Sequence, residues 1–377
     1  MGKRRVKSTI RVLIVDDSAV CRELLAHLLS SDPQIEIAGS VRDGTSALDA
    51  VTALRPDVIT MDINLPGMNG YDVTRRIMES FPTPIVVVSA ADDVGEVEMS
   101  FRAMESGAVA VVPKPRGGES ADSAAQSREL ILMVKLMAEV KVVKRWSRKS
   151  VPPIAAAGPE SAPGRSSTFP GPQPGHAVSS AGFEAVLIGA STGGPLPIRT
   201  ILSSLPRDFP AAVLVVQHIA AGFGAGFADW LAGASRLPVH IAGEGELVAP
   251  GHVYVAPDEA HMGVGAGPRI TLGHGEPENG LRPSVSHLFR SAAKVYGRRA
   301  VGILLSGMGR DGAEELKGLK DIGAVTFAQD QESSVVFGMP GEAVRLGGVS
   351  YTMPPEAIAA AVVNLAETGN TGGGTAS

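Results

Sequence analysis

Short runs of β-branched residues alternate with segments of helix length along this chain, and the alternation occurs twice, once on each side of a proline-rich stretch. In the first block the runs fall at residues 11–15, 35–39, 57–61, 85–88 and 109–112. In the second they fall at 185–188, 212–216, 252–256, 301–305 and 325–329. Runs that are apolar throughout read as strands buried on both faces, and such strands separated by amphipathic helices build a parallel sheet covered on both sides. The expectation is two doubly wound, mainly parallel α/β domains. The chain's 377 residues also exceed what a single core usually holds.

Between the blocks, residues 151–181 carry seven prolines among Ala, Gly and Ser. Too few large apolar residues occur there to form a core, so the stretch reads as a semi-flexible tether. The expected organisation is a first domain over 8–145, closed by a helix at 126–145 after a polar loop at 116–127. A linker follows at 146–182, then a second domain at 183–367 and a disordered tail at 368–377. The rest of the composition excludes more than it selects. A net charge of −5 without a sustained basic stripe argues against nucleic acid as the main partner. No apolar stretch is long enough to insert in a membrane and no signal-peptide pattern precedes the first strand, so a cytoplasmic protein is expected. The single cysteine, Cys21, excludes an intrachain disulfide and a cysteine-rich metal site; with Leu24, Leu25 and Leu28 it reads as a buried structural thiol.

In a doubly wound sheet, ligands bind beyond the carboxyl ends of the strands. In the first block Asp16 and Asp17 follow the first strand, Asp62 the third, Ser89 ends the fourth and Lys114 follows the fifth. Any one of these aspartates alone would read as a helix cap or turn opener. Together they converge on one edge. Three neighbouring carboxylates repel one another unless a divalent cation joins them, and an all-oxygen set suits Mg²⁺. Asp62, the isolated acid at the central strand, is then the carboxylate placed to accept a phosphoryl group.

With Asp16-Asp17, Met61-Asp62, Pro66-Gly67-Met68-Asn69-Gly70, Ser89-Ala90 and Lys114-Pro115, the first block resembles a response-regulator receiver domain. The resemblance implies phosphorylation of Asp62 by a sensor histidine kinase, Mg²⁺ held by Asp16, Asp17 and Asp62, and phosphate contacts from Ser89 and Lys114. It also shows one departure. Receivers commonly carry an aromatic three residues before the lysine, and here that residue is Val111.

The second block opens on Gly189-Ala190-Ser191-Thr192-Gly193-Gly194, a glycine turn between a buried strand and a helix starting near Pro195. Such a turn serves a serine nucleophile, a pyrophosphate cradle, or simply a connection. Two further strand ends carry reactive groups: Gln217-His218, and Ser306-Gly307-Met308-Gly309-Arg310-Asp311-Gly312. No acid stands where a dinucleotide site needs one, which weakens the cradle. If the strands are parallel, Ser191, His218 and Asp311 reach one crevice, the set that nucleophilic acyl transfer requires. His218 would remove the Ser191 proton and Asp311 would orient the imidazole. The bland alternative leaves His218 packed or solvated and Asp311 capping a helix. The chain order Ser, His, Asp differs from the Ser, Asp, His of the α/β-hydrolases.

These blocks, with Pro250-Gly251-His252-Val253-Tyr254-Val255-Ala256-Pro257, Arg282-Pro283-Ser284-Val285 and Phe337-Gly338-Met339-Pro340, resemble the catalytic domain of the chemotaxis protein-glutamate methylesterases, the CheB family. That resemblance implies hydrolysis of glutamyl methyl esters on methyl-accepting chemoreceptors, with deamidation of receptor glutamines by the same acyl-enzyme chemistry and no cofactor for the esterase reaction. It also implies a CheA-type kinase as partner. Thr192 and the N–H of Met308 are candidates for placing the tetrahedral intermediate. A loop rich in Gly and Glu at 273–280 precedes Arg282, and reads either as a plain turn or as a contact to an acidic receptor surface. His252, His261, His274 and His287 are too scattered to imply a metal.

Overall fold

The computed structural model describes residues 9–90, 94–115, 121–140, 142 and 182–370. The expected linker, apart from residue 182, lies outside the described residues. The first domain is built from β1 (Ile10–Val15), α1 (Ala19–Ser30), β2 (Ile35–Val41), α2 (Gly44–Leu54), β3 (Val58–Met61), α3 (Gly70–Ser80), β4 (Ile85–Ser89), α4 (Val94–Ser106), β5 (Ala110–Pro113) and α5 (Ala121–Ala138). Its sheet has the order β2-β1-β3-β4-β5, parallel throughout. The expected strands are all present within two residues at each end.

This order sets the first site. Val15 pairs with Met61, and Asp62 N–H donates to Val15 C=O at 2.8 Å, which brings the acids after β1 and β3 side by side. Lys114 N–H donates to Ser89 C=O at 2.8 Å and so ties the end of β5 to that of β4. The helices start on side-chain caps: Ser18 accepts from Cys21 N–H, Asp43 from Ser46 N–H and Asn69 from Asp72 N–H. The closing helix departs from the sequence reading. It begins at Ala121, inside the expected polar loop, and ends at Ala138. Its first turns are Ala-rich and helix-forming, and Leu130, Val134 and Met137 supply the buried face. Cys21, expected inside, is only half-buried; burial and the Asp16 charge raise its thiol pKa, which keeps it unreactive.

The second domain runs β6 (Ala185–Ala190), α6 (Pro195–Ser204), β7 (Ala212–Gln217), α7 (Gly224–Ala232), β8 (Val239–Ile241), β9 (Val253–Val255), β10 (His261–Gly265), β11 (Arg269–Gly273), α8 (Val285–Tyr296), β12 (Ala300–Leu304), α9 (Ala313–Asp321), β13 (Val325–Gln329), α10 (Met339–Arg345), β14 (Tyr351–Met353) and α11 (Pro355–Asn370). Seven strands form a parallel sheet in the order β14-β13-β12-β6-β7-β9-β8, and β10 with β11 forms a separate antiparallel hairpin. Every residue of β6, β7 and β12 is buried. Central β6 has β12 on one side and β7 on the other, so the three strand ends singled out in the sequence open on one crevice. The strands β8 and β14 and the hairpin were not legible as apolar runs. The first two are three residues long and half-exposed, and the hairpin alternates Gly and polar residues with its buried Met262, Val264 and Ile270. At the end of the chain α11 reaches Asn370, beyond the expected domain boundary.

The two domains share an apolar seam. Phe101 of α4 lies 5.2 Å from the Phe227 ring and 5.3 Å from the Trp230 ring, both on α7. Glu105 accepts from Trp230 Nε1 at 2.7 Å and pairs with Arg199 of α6 at 2.8 Å. All three aromatics are buried, each worth ~1.5–3 kcal/mol by area, whereas the partly exposed ion pair is worth less than about 1 kcal/mol and sets register more than strength.

Gly70 illustrates how tightly the acidic edge is built. A Cβ there would lie 2.2 Å from Asp62 C=O, a backbone atom with no room to move. Gly70→Ala should therefore cost about 1–3 kcal/mol in denaturant titrations. Wild-type stability in that variant would show that the loop after β3 relaxes freely.

Candidate active site

Asp311, in the loop after β12, is held by four hydrogen-bond contacts. Its side chain is 1% exposed. Oδ1 accepts from Ser284 Oγ at 2.9 Å and from Ser286 N–H at 3.1 Å, and Oδ2 accepts from Val285 N–H at 2.6 Å. The carboxylate thus sits on the first turn of α8, where free N–H groups and the helix dipole both favour an anion. Burial alone would raise its pKa. The hydrogen bond and charge of His218, with the Ser286 and Val285 donors, outweigh burial and hold it down at about 2.

His218 completes the pair, with Nε2 2.9 Å from Asp311 Oδ2. An ionised carboxylate only accepts, so Nε2 donates in this pair. Nδ1 is buried and has no hydrogen-bond partner among the described residues. The ring is therefore oriented at one nitrogen and unpaired at the other.

Ser191 stands one strand away. Ala190 pairs with Gln217, and His218 N–H donates to Ala190 C=O at 2.9 Å. Gln217 Nε2 donates at 2.8 Å to both Ser191 C=O and His218 C=O, a clamp across the two strand ends. The turn is also wedged against the loop after β12. Ser191 N–H donates to Ser306 C=O at 3.0 Å, and a Cβ on Gly307 would lie 2.8 Å from Ser191 Cβ. Ser306 Oγ donates to Thr192 C=O at 2.7 Å, and Gln329 Oε1 accepts from Ser306 N–H at 2.8 Å. The structure thus joins His218 to Asp311 directly and brings Ser191 beside them without a hydrogen bond from Oγ among the described residues. Catalytic contacts of this kind often tighten only around substrate. The Ser191 N–H is spent on Ser306, which leaves Thr192 and the exposed Met308 as candidate donors toward an oxyanion.

At the edge of the first sheet, single oxygens of Asp16, Asp17 and Asp62 lie within 4.8 Å of one another. Lys114 Nζ is 2.8 Å from Asp62 Oδ2 and 3.2 Å from Asp16 Oδ2. The second approach lacks hydrogen-bond geometry, and Asp16 Oδ2 is buried without a hydrogen-bond partner among the described residues. A hard cation fits such an oxygen set. Burial pushes the Asp62 carboxyl up to about 6 against the opposing effect of Lys114. For Lys114 burial acts downward, but the hydrogen bond to Asp62 and the two carboxylate charges win and raise its pKa. Ser89 is fully buried at the end of β4 on the same edge. Val111, at the position where receivers usually carry an aromatic, packs half-buried against the core.

A family model for CheB methylesterase matches residues 186–362, and one for the response regulator receiver domain matches 12–125. Protein-glutamate methylesterase/protein-glutamine glutaminase 1 of Syntrophus aciditrophicus is 53% identical over 357 residues, which span 95% of this chain and 98% of that protein. The chain belongs to the CheB methylesterase family. Protein-glutamate methylesterase/protein-glutamine glutaminase 4 of Geobacter metallireducens is 52% identical over 95% of this chain and 99% of its own length. The catalytic domain of CheB methylesterase from Thermotoga maritima, a crystal structure, is 37% identical, with 49% of this chain and 99% of that one covered at a TM-score of 0.47.

Within this CheB-family chain, sequence reasoning assigned no role to Ser284, Val285 or Ser286, although all three hold Asp311. A Ser-Val-Ser start to an amphipathic helix is legible as a cap. Its partner, 27 residues further on, is not. The pairing makes a stability prediction. Asp311 has a native pKa of about 2 against an ordinary 3.8, so its contribution, on the order of 2 kcal/mol, is complete above about pH 4 and is lost as the pH falls toward 2. Denaturant titrations of wild type and Asp311→Asn should show a stability gap at neutral pH that closes over that window. A gap independent of pH would mean that the carboxylate charge is not what the α8 turn holds.

Proposed function

We propose that the chain is a protein-glutamate methylesterase and protein-glutamine glutaminase of methyl-accepting chemoreceptors, switched on by phosphorylation of Asp62. The observation that carries the catalytic reading is the His218 ring, held at Nε2 by Asp311 and unpaired at Nδ1 among the described residues, on the strand end next to that of Ser191. In this reading Ser191 Oγ attacks the glutamyl carbonyl as its proton passes to Nδ1 of His218. The imidazolium so formed is stabilised by Asp311. The tetrahedral oxyanion is held by Thr192 and the Met308 N–H. Collapse passes the proton from His218 to the leaving oxygen and releases methanol, or to the leaving nitrogen and releases ammonia when the substrate is a glutamine. Water, deprotonated by the same nitrogen, then attacks the acyl-enzyme and frees glutamate and Ser191. Every bond change is supplied by these side chains and water, so the esterase step calls for no cofactor.

The regulatory reading rests on the seam between the domains. α4, the helix after the Ser89 strand, packs on α6 and α7, which follow the Ser191 turn and the His218 loop. In this reading a receiver docked there shields the cleft until Asp62 is phosphorylated. Asp16, Asp17 and Asp62 would hold Mg²⁺, which supplies charge neutralisation for the phosphoryl oxygens. Asp62 accepts the phosphoryl group from a CheA-type sensor kinase, and Lys114 and Ser89 meet its oxygens. We place the enzyme in the cytoplasm, acting on the receptors' cytoplasmic helices; among the described residues no helix is long and apolar enough to cross a membrane.

Methanol release from a methylated receptor fragment tests both parts. Ser191→Ala should lower the rate by at least about 10³-fold; equal rates would remove Ser191 from the mechanism. A small phosphodonor with Mg²⁺ should raise the wild-type rate and leave Asp62→Asn unchanged. Phe101→Ala, which empties the centre of the seam, or removal of residues 1–150 should raise the rate without phosphodonor. Unchanged or lower basal activity in both would refute shielding.

A further inference from the structure

Beside the proposed catalytic cleft lies a cavity of about 230 Å³, between the loop after β7, the turn after β9 and the loop leading into α8. Its lining includes Ile219, the neighbour of His218, and Arg282, two residues before the Ser284 that holds Asp311. The cavity lining is therefore adjacent in sequence to His218 and two residues from a serine that holds Asp311. The mechanism above makes no use of it.

Its charges are unequally engaged. Asp258 is committed to the fold: Oδ2 accepts from Gly222 N–H at 2.7 Å, and its carboxylate lies against Gly224 at the start of α7. Glu259 is exposed at the rim in a left-handed backbone conformation, φ +58°. Arg282 donates through Nη1 to Gly275 C=O at 2.9 Å, its Nε is buried without a partner, and it forms no ion pair among the described residues. Nearby Arg290, although more exposed, bridges Glu278 and Glu315. A half-buried guanidinium with spare donors and no counter-ion is costly to maintain and matches a carboxylate bidentately.

We propose that Arg282 is a specificity residue: it binds the carboxylate of an acidic residue close to the scissile ester in the protein substrate, and this cavity is the subsite for that side chain. The inference rests on the methylesterase reading of the neighbouring cleft. Asp258 and Glu259 limit the site to a single carboxylate, because a denser anion would meet two like charges. Hydrolysis of one ester or amide itself creates a glutamate. Where two modified residues lie within a helical turn, the first product then becomes the recognition element for the second reaction.

The test uses the full chain and methanol release from methylated receptor fragments. In one set the acidic residues within one helical turn of the ester are kept, in a second they are Gln, and in a third they are Lys. Wild type should lose about 10-fold in kcat/KM on the Gln set, the loss expected for one charge-assisted contact. Arg282→Gln should lose a similar factor on the acidic set and treat the acidic and Gln sets alike. Arg282→Glu should reverse the preference and favour the Lys set. Indifference of the active wild-type enzyme to flanking charge would overturn the proposal, as would an Arg282→Gln defect equal on all three sets, which marks a loop-holding role through Gly275. Absence of methanol release by wild type, or equal release by Ser191→Ala, would instead bring down the esterase reading itself.

Discussion

The docking of the Asp311 carboxylate on the first turn of α8 is the interaction on which the second domain's chemistry depends. A buried carboxylate without partners would be protonated or would unfold its surroundings. Here two backbone N–H groups, a hydroxyl and an imidazole satisfy it. The arrangement has two consequences from one set of contacts. It stitches the loop after β12 to the loop before α8, and it leaves an oxygen of defined direction for His218. Because that oxygen takes Nε2, Nδ1 is the ring nitrogen left without a partner among the described residues. Which nitrogen is left is thus decided by the carboxylate that the first turn of α8 holds.

The sheet order supplies the rest. In β12-β6-β7 the three strand ends are neighbours, so Ser191, His218 and the Ser306–Gly312 loop converge without long loops. The order of the residues along the chain is incidental to that geometry. This explains how a Ser, His, Asp succession can build what other folds build in a different succession. Precision then comes from small contacts that exclude alternatives. Gly307 lets the loop touch Ser191, and Gln217 bridges the two flanking backbones. A side chain at Gly307 would collide with Met339 and Ser191 at once.

The buried strands were legible in the sequence because buried parallel strands are continuous apolar runs, and the site residues were found at the end of one or in the loop that follows it. Asp62, Ser191, His218 and Asp311 were visible in that way, with the shared sheet edge as the only spatial assumption. Ser284 to Ser286 were not, since what matters is which anion their N–H groups face, and that depends on a contact across 25 to 27 residues. The seam was equally hidden. Phe101, Phe227 and Trp230 each fit an amphipathic helix face, and no local pattern says that the face is covered by another domain. The closing helix was misplaced because a Ser- and Ala-rich start looks like loop until the buried face of Leu130, Val134 and Met137 anchors it.

The seam also sets what a phosphoryl group on Asp62 would have to accomplish. Phe101, Phe227 and Trp230 bury several kcal/mol of apolar contact, and a modification shifts a docked population only by the amount it favours one arrangement over the other. A switch of useful range therefore needs a differential of similar size, less what the partly exposed Glu105–Arg199 pair returns. The Lys114–Asp62 contact is where that differential must originate, because a phosphoryl group would displace the carboxylate oxygen that Lys114 now meets. Val111 cannot relay it as a swinging aromatic ring would. The remaining route is mechanical and short: Ser89 ends β4, Lys114 is tied to Ser89 through the backbone, and α4 with Phe101 is the next element along the chain. A phosphoryl switch at Asp62 acting through this seam would therefore work through the position of α4 rather than a rotamer on β5.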